Sequence, residues 1–155
     1  MQHNEMAVDY IDDNLATPRT PGTGLVTERF YNGTGSTIAA GVPLALDLTD
    51  YTSHKDKPQL GDACKPTATS GAANVCVGIN LESCPDKTWG KRVVRGRVDS
   101  VPVTTSLAAG ALLVGSTGSA AMLMVQPTSL AATTRAVAQA LSAESGGTAS
   151  VFVFA

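Results

Sequence analysis

The sequence has few charged residues, few aromatic rings and no long apolar run. Charged side chains make up 15% of its 155 residues, against about 25% in an average soluble protein, and aromatic side chains make up 5%. The formal net charge of −2 offers no basic field for a phosphate backbone. No window approaches the ~18 consecutive apolar residues that a membrane-spanning helix needs. Nucleic acid and membranes are therefore not expected as partners.

The beginning of the chain lacks the features of a secretory signal. A signal peptide is basic and then apolar, whereas Glu5, Asp9, Asp12 and Asp13 make this segment acidic. We therefore expect the protein to be synthesised in the cytoplasm.

Cysteine and histidine are scarce. The three cysteines are separated by eleven and seven residues, which matches no common zinc or redox motif. We expect Cys76, in a valine-rich segment, to be a buried core residue, and Cys84, in a Ser-Cys-Pro-Asp turn, to be a loop thiol. His3 and His54 have no nucleophile or acidic partner at a motif spacing, so both are expected in solvent.

The remaining polar clusters also lack a motif that carries chemistry. Four aspartates, at positions 47, 50, 56 and 62, lie close together without the spacing of an EF-hand and are expected to be solvated loop acids. The glycine-rich segments GTGST and GSTGS have no lysine of a phosphate-binding loop, so they predict turns. We predict no metal, no cofactor, no catalytic residue and no enzyme activity.

The chain divides into an arm and a body. Residues 1–23 are acidic and end in ATPRTPGTG, whose prolines and glycines cannot continue a helix, so they predict an extended N-terminal arm. Residues 24–155 predict a mainly β domain with little helix, because short period-two segments alternate with turn residues. The predicted strands are 25–32, 42–48, 74–81, 89–105, 111–116, 120–127, 135–141 and 149–155. The alanine-rich segment 131–143 fits a helix or a strand.

One short pattern occurs twice in the body. TIAAG ends at Gly41 and SLAAG ends at Gly110, sixty-nine residues later, and each leads into an apolar strand. A second pair, VCVGINLES and AVAQALSAE, aligns Leu81 with Leu141 at an offset of sixty residues, so the first copy contains an insertion near residues 49–63. A glycine that closes a tight turn permits a backbone conformation that other residues resist. The pattern predicts two turn-and-strand units, residues 36–104 and 105–155.

Several of these segments resemble bacteriophage head decoration proteins, also called cement proteins. VPLALD, VCVGINL and the glycine of VVRGRV are similar to segments of the lambda-type decoration protein, while SLAAGALL and SVFVFA resemble larger cement proteins. The resemblance covers about residues 24–155. The glycines that it marks as structural turn positions are Gly41, Gly78, Gly96 and Gly110.

The resemblance implies a homotrimer with a β-tulip or β-barrel-like fold that binds the outside of the mature capsid. There it would clamp subunits of the major capsid protein and stabilise the virion. It also implies that the N-terminal arm orders against the capsid, with Val8, Tyr10, Ile11 and Leu15 as apolar anchors.

Two other functions remain open at this stage. A tail- or fibre-associated virion module would have a similar β composition. A small trimeric hydrolase of deoxyuridine triphosphate is also all-β, and GSTG at residues 115–118 resembles its glycine-rich tail. The arginine and phenylalanine that this family places before the tail are missing here, and TPRTPG precedes the LDL segment instead of following it.

Overall fold

The computed structural model describes residues 24–51, 58–59, 61–70, 76–103, 106–116, 124–125 and 136–155. The predicted arm, residues 1–23, lies outside them. The described residues form nine strands and one short helix. In chain order these are β1 Val26–Asn32, β2 Pro43–Leu46, β3 Cys64–Pro66, α1 Thr67–Ser70, β4 Cys76–Asn80, β5 Thr88–Pro102, β6 Leu112–Gly115, β7 Met124–Val125, β8 Ala138–Ala140 and β9 Thr148–Phe154.

The strands pair antiparallel in the order β3-β2-β4-β5-β9-β8-β6-β7, and β1 pairs with β5 beside this path. The sheet curls into a half-barrel. The prediction of a mainly β domain with little helix is therefore confirmed. No helix in the described part of the chain is long and apolar enough to cross a membrane.

The fifteen-residue strand β5 joins the two halves of the sheet. Arg95 faces both Val26 of β1 and Phe154 of β9, so these two strands lie on opposite sides of β5. The N-terminal half of β5 pairs with β1 and β4, and its C-terminal half pairs with β9. A register shift between Val98 and Val101 bends the strand within this second ladder.

The main hydrophobic core draws on both halves. Ile79 and Val93 of the first half pack in one cluster with Leu113 and Val151 of the second, and all four are fully buried. Each such side chain contributes about 1.5–3 kcal/mol of transfer free energy. A separate cluster around Phe30 and aromatic packing around Tyr31 fill the first half. Because the main cluster spans both halves, we expect them to unfold together.

The same hydrogen bonds occur in both halves of the sheet. The amide of Gly41 donates to the carbonyl of Asn80 at 2.8 Å, and the amide of Gly110 donates to that of Ala140 at 2.8 Å. The offsets are sixty-nine residues for the glycines and sixty for their partners, which are the offsets of the sequence repeat. Both glycines have positive φ, +78° and +86°. The turn before β2 and the turn before β6 thus both end in a glycine with a left-handed backbone conformation.

The strand registers recur as well. Leu44 faces Gly78 where β2 pairs with β4, and at the same offsets Leu113 faces Ala138 where β6 pairs with β8. The pairing of the strand that precedes each glycine turn also recurs. The last residue of β1, which precedes the Gly41 turn, faces Thr88. The last residue of β5, which precedes the Gly110 turn, faces Thr148, sixty positions after Thr88. The strand β5 therefore serves as the last strand of one half and the first strand of the other.

The structure differs from the sequence predictions at several points. The strand β3 and the helix α1 were not predicted, because they are three and four residues long and lie beside a charged, turn-rich segment. Residues 138–140 form a strand, and residues 131–135 of the ambiguous segment lie outside the described residues. Gly78 and Gly96 lie inside β4 and β5 and not in turns.

Candidate functional site

A row of side chains crosses the outside of the second half of the sheet. Leu112 of β6 faces Gln139 of β8, which faces Phe152 of β9, which faces Arg97 of β5. Directly paired residues lie on one side of a sheet. Their neighbours along the strands, Leu113, Ala138 and Val153, are fully buried on the other side. The row therefore faces away from the core.

A second pair extends this surface. Phe154 lies two residues after Phe152 and faces Arg95, two residues before Arg97, so both share the outer side. We call this set the outer face: Leu112, Gln139, Phe152, Phe154, Arg95 and Arg97. Leu112 is 39% exposed and Phe154 is 36% exposed. Aromatic rings and arginine are the residues that protein interfaces favour over the rest of a surface.

The corresponding row in the first half of the sheet is covered. Pro43 faces Ile79, which faces Val93. At the offsets of the repeat, Pro43 and Ile79 correspond to Leu112 and Gln139, and Val93 pairs with Ile79 as Phe152 pairs with Gln139, one residue out of the sixty-residue offset. Ile79 and Val93 are fully buried, and Pro43 is buried too. The repeated architecture therefore buries this row in one half and exposes it in the other.

Polar contacts arrange the arginine end of the outer face. The Arg97 Nε donates to Asp99 Oδ1 at 2.9 Å, and the Ser150 hydroxyl donates to the same oxygen at 2.6 Å. The hydrogen bond from Ser150, and then the one from Arg97, lower the pKa of Asp99. An ionised carboxylate thus orients Arg97 beside Phe152.

The described chain begins at the border of the outer face. Gly24 and Leu25 lie against Gly96, which has φ +121°, and a methyl group at Gly96 would come within 2.6 Å of the Gly24 carbonyl oxygen. Only glycine admits this approach. Gly24 and Leu25 therefore lie against β5 at Gly96, whose neighbours along the strand are the exposed Arg95 and Arg97. The predicted anchors Val8, Tyr10, Ile11 and Leu15 lie outside the described residues.

A polar cleft of about 300 Å³ opens in the first half of the sheet. Its lining residues come from the loop after β1, the loop after β2, β3 and α1; they are Gly33, Thr34, Ser36, Asp47, Thr49, Tyr51, Lys65, Pro66 and Thr69. We call this site the polar cleft.

Asp47 organises the polar cleft. Its carboxylate accepts hydrogen bonds from the Tyr51 hydroxyl at 2.7 Å and from the Thr49 hydroxyl at 2.8 Å, and Lys65 Nζ lies 3.5 Å away. Burial alone would raise the pKa of Asp47, but these hydrogen bonds and the charge of Lys65 together hold it below its ordinary value. Burial, and then the hydrogen bond to Asp47, raise the pKa of Tyr51. The prediction that Asp47 is a solvated loop acid is wrong, since it is 4% exposed.

The aromatic floor of the polar cleft is held from behind. The Tyr51 ring lies directly against Gly33, where a methyl group would overlap the ring. The Tyr31 ring packs behind it, with ring centroids 5.7 Å apart, and Trp89 packs on Tyr31 at 5.6 Å. The position of Tyr51 is therefore fixed by packing as well as by its hydrogen bond to Asp47.

The cysteines lie in the core and not at either site. Cys76 is 7% exposed, which confirms the prediction of a core residue. Burial raises the pKa of Cys76 to about 11, and that of Cys64 to about 11 against the opposing charge of Arg92. Cys84 lies in the connection between β4 and β5, as predicted, but it is buried at 2% exposure and its backbone pairs with Ile38 in both directions. The segment around Cys84 is therefore held by two backbone hydrogen bonds to Ile38.

Neither the outer face nor the polar cleft was predicted from the sequence. SVFVFA was predicted to form a strand, but neither its outward-facing residues nor its partner strands were predicted. The histidines His3 and His54 lie outside the described residues, and no group of three His, Cys, Asp or Glu side chains within the described part could hold a metal ion. No known protein-family model matches the chain, and no curated protein matches it.

Proposed function

We propose that this protein is a structural virion protein that binds the outside of a mature bacteriophage capsid and stabilises the head without catalysis. The outer face is the observation that carries the proposal. It presents two phenylalanines, a leucine and two arginines on the sheet, and the first described residues, Gly24 and Leu25, lie against β5 at Gly96, between those arginines along the strand. Such a surface suits a protein partner, because buried aromatic and arginine side chains dominate binding energy at interfaces.

The positions of the segments that resemble decoration proteins also support this function. VPLALD contains β2, VCVGINL contains β4 and the glycine of VVRGRV lies in β5. These three strands are adjacent in the sheet. The segments that resemble the lambda-type decoration protein therefore lie in adjacent strands, while SLAAGALL and SVFVFA, which resemble larger cement proteins, lie at β6 and β9.

The proposed mechanism is mechanical. The outer face and the arm bind neighbouring major capsid protein subunits, and a homotrimer presents three copies of both. Linked contacts act at high effective concentration, so modest individual interfaces give a long-lived clamp. Heads that carry the protein then resist the separation of their subunits.

A heat challenge with matched variants tests this proposal. The double variant Leu112→Asp/Phe154→Asp places two charges on the outer face, while Leu48→Asp places one on a side chain that is 69% exposed elsewhere in the first half. Heads lacking the protein are reconstituted with each form and heated while DNA release is measured. We expect the wild type and Leu48→Asp to raise the release temperature and the double variant to leave it unchanged. Equal protection by a folded double variant would remove the outer face from the mechanism.

A further inference from the structure

The buried carboxylate of the polar cleft has no counterpart in the second half of the sheet. At the offset of sixty-nine residues, the position that corresponds to Asp47 is Ser116. A buried carboxylate costs desolvation free energy unless it is paired and hydrogen-bonded. Asp47 therefore belongs to a structure that is particular to the first half, and the cleft around it lies apart from the outer face.

Charged ligands do not fit this cleft. The carboxylate of Asp47 already accepts bonds from Thr49 and Tyr51 and lies beside Lys65, so its oxygens are engaged and a cation gains little from it. An anion attracted by Lys65 would meet the negative charge of Asp47 at the same place. The charges of Lys65 and Asp47 compensate each other, so a charged ligand is repelled by one of them. A neutral ligand is repelled by neither.

The hydroxyl groups that line the cleft are arranged as acceptors. Thr34 donates to Asn32 Oδ1 at 2.7 Å, Thr49 to Asp47 Oδ1 at 2.8 Å and Thr69 to the Pro66 carbonyl at 2.8 Å. A hydroxyl has one hydrogen and two lone pairs, so each of these oxygens can still accept a bond. Lys65 can donate to the ligand, because its ammonium has three hydrogens and its side chain is 32% exposed.

We propose that the polar cleft binds an uncharged polyhydroxyl ligand, such as one ring of a saccharide. Ligand hydroxyls donate to the threonine oxygens and accept from Lys65, while Tyr51 and Pro66, both buried, form the apolar part of the cleft wall. The cleft volume of about 300 Å³ lies at the lower end of the range for small-molecule sites, which suits a single ring. This binding is independent of the capsid-binding function proposed above.

Saturation-transfer NMR with the full-length protein tests the proposal. The neutral probes are methyl α-glucopyranoside and myo-inositol, and the charged probes are glucuronate and glucosamine. We expect saturable binding of at least one neutral probe and weaker binding of both charged ones. Lys65→Met and Thr69→Val should each weaken binding about fivefold, the effect of one hydrogen bond.

Matched substitutions outside the cleft serve as controls. Lys91→Met and Thr27→Val change the same residue types on β5 and β1 and should bind as the wild type does. Three results would overturn the proposal: no saturable binding of either neutral probe to the folded wild type, unchanged binding by both cleft variants, or a preference for a charged probe. Capsid binding is measured separately with the outer-face variants, so a failure here is distinct from a failure of the proposed function.

Discussion

Two buried polar side chains fix the loops around the polar cleft. The Asn32 amide donates to the carbonyl oxygens of Ser36, Cys84 and Pro85, at 2.8, 2.9 and 3.1 Å, and its Oδ1 accepts from Thr34. Asp47 holds the loop after β2 in the same way. Because a buried polar group that loses its partners keeps its desolvation cost, both positions are sensitive to substitution.

Asp47→Asn tests the role of the carboxylate. We expect the free energy of unfolding to fall by about 1–3 kcal/mol at pH 7, since the Tyr51 and Thr49 hydroxyls lose a charged acceptor. The folded pKa of Asp47 lies below its ordinary value, so its contribution is complete above the unfolded pKa and is lost as the pH falls through the folded one. The difference between wild type and variant should therefore shrink below about pH 4.

Urea denaturation at pH 7, 5 and 3 measures this difference. Asp99→Asn is the control, because Asp99 lies on the surface and should affect the free energy of unfolding little at any of these pH values. A variant at Asp47 with wild-type stability at pH 7 would show that the carboxylate does not organise the cleft.

At the scale of elements, the repeat places equivalent turns in different surroundings. Gly41 and Gly110 have nearly the same positive φ, but a methyl group at Gly41 would lie 2.6 Å from Pro102 Cδ, whereas nothing lies within 4 Å at Gly110. The first turn is packed against the end of β5 and the second is open. A substitution at Gly110 therefore adds backbone strain alone, whereas a substitution at Gly41 adds backbone strain and steric overlap with Pro102.

Gly110→Ala and Gly41→Ala form a matched pair that measures both effects. We expect Gly110→Ala to cost about 1–2 kcal/mol, the strain of a left-handed backbone. Gly41→Ala should cost about 1–3 kcal/mol more, because the methyl group also displaces Pro102. Equal losses in urea denaturation would show that the loop around Gly41 relaxes away from β5.

The arm is a second element that can be tested separately. Removal of residues 1–15 takes away the predicted anchors Val8, Tyr10, Ile11 and Leu15 and leaves Gly24 and Leu25 packed on Gly96. We expect the truncated protein to keep its unfolding midpoint and oligomeric state and to lose capsid binding, measured by sedimentation with capsids. Full occupancy by the truncated protein would contradict an anchoring role for the arm.

How far the sequence predicts each element depends on its length and on what it pairs with. Period-two patterns or short apolar runs marked the strands around Val93, Leu113 and Val151, whose apolar side chains enter the core. It could not mark β3, which is three residues long and includes a proline. The polar cleft was invisible for another reason. Asp47 and Tyr51 are four residues apart, but Lys65 reaches them only after β2 pairs with β3, and no local spacing encodes that contact.

At the scale of the whole molecule, one strand unites two similar halves with different surfaces. The half that contains β2 and β4 buries the row of side chains that corresponds to the outer face, and it holds the polar cleft. The half that contains β6, β8 and β9 exposes the outer face. A common core makes them one rigid body. A rigid body with separate surfaces can bind one partner through one half while the other half remains accessible.

The most direct test of the proposed function is sedimentation of the full-length protein with expanded capsids that lack it, over a range of protein concentrations. The bound protein per major capsid protein subunit is measured in each pellet. A decoration protein should saturate at a fixed ratio, because each occupied site admits one oligomer. No binding by the folded protein, or binding that rises without saturation, would contradict the account.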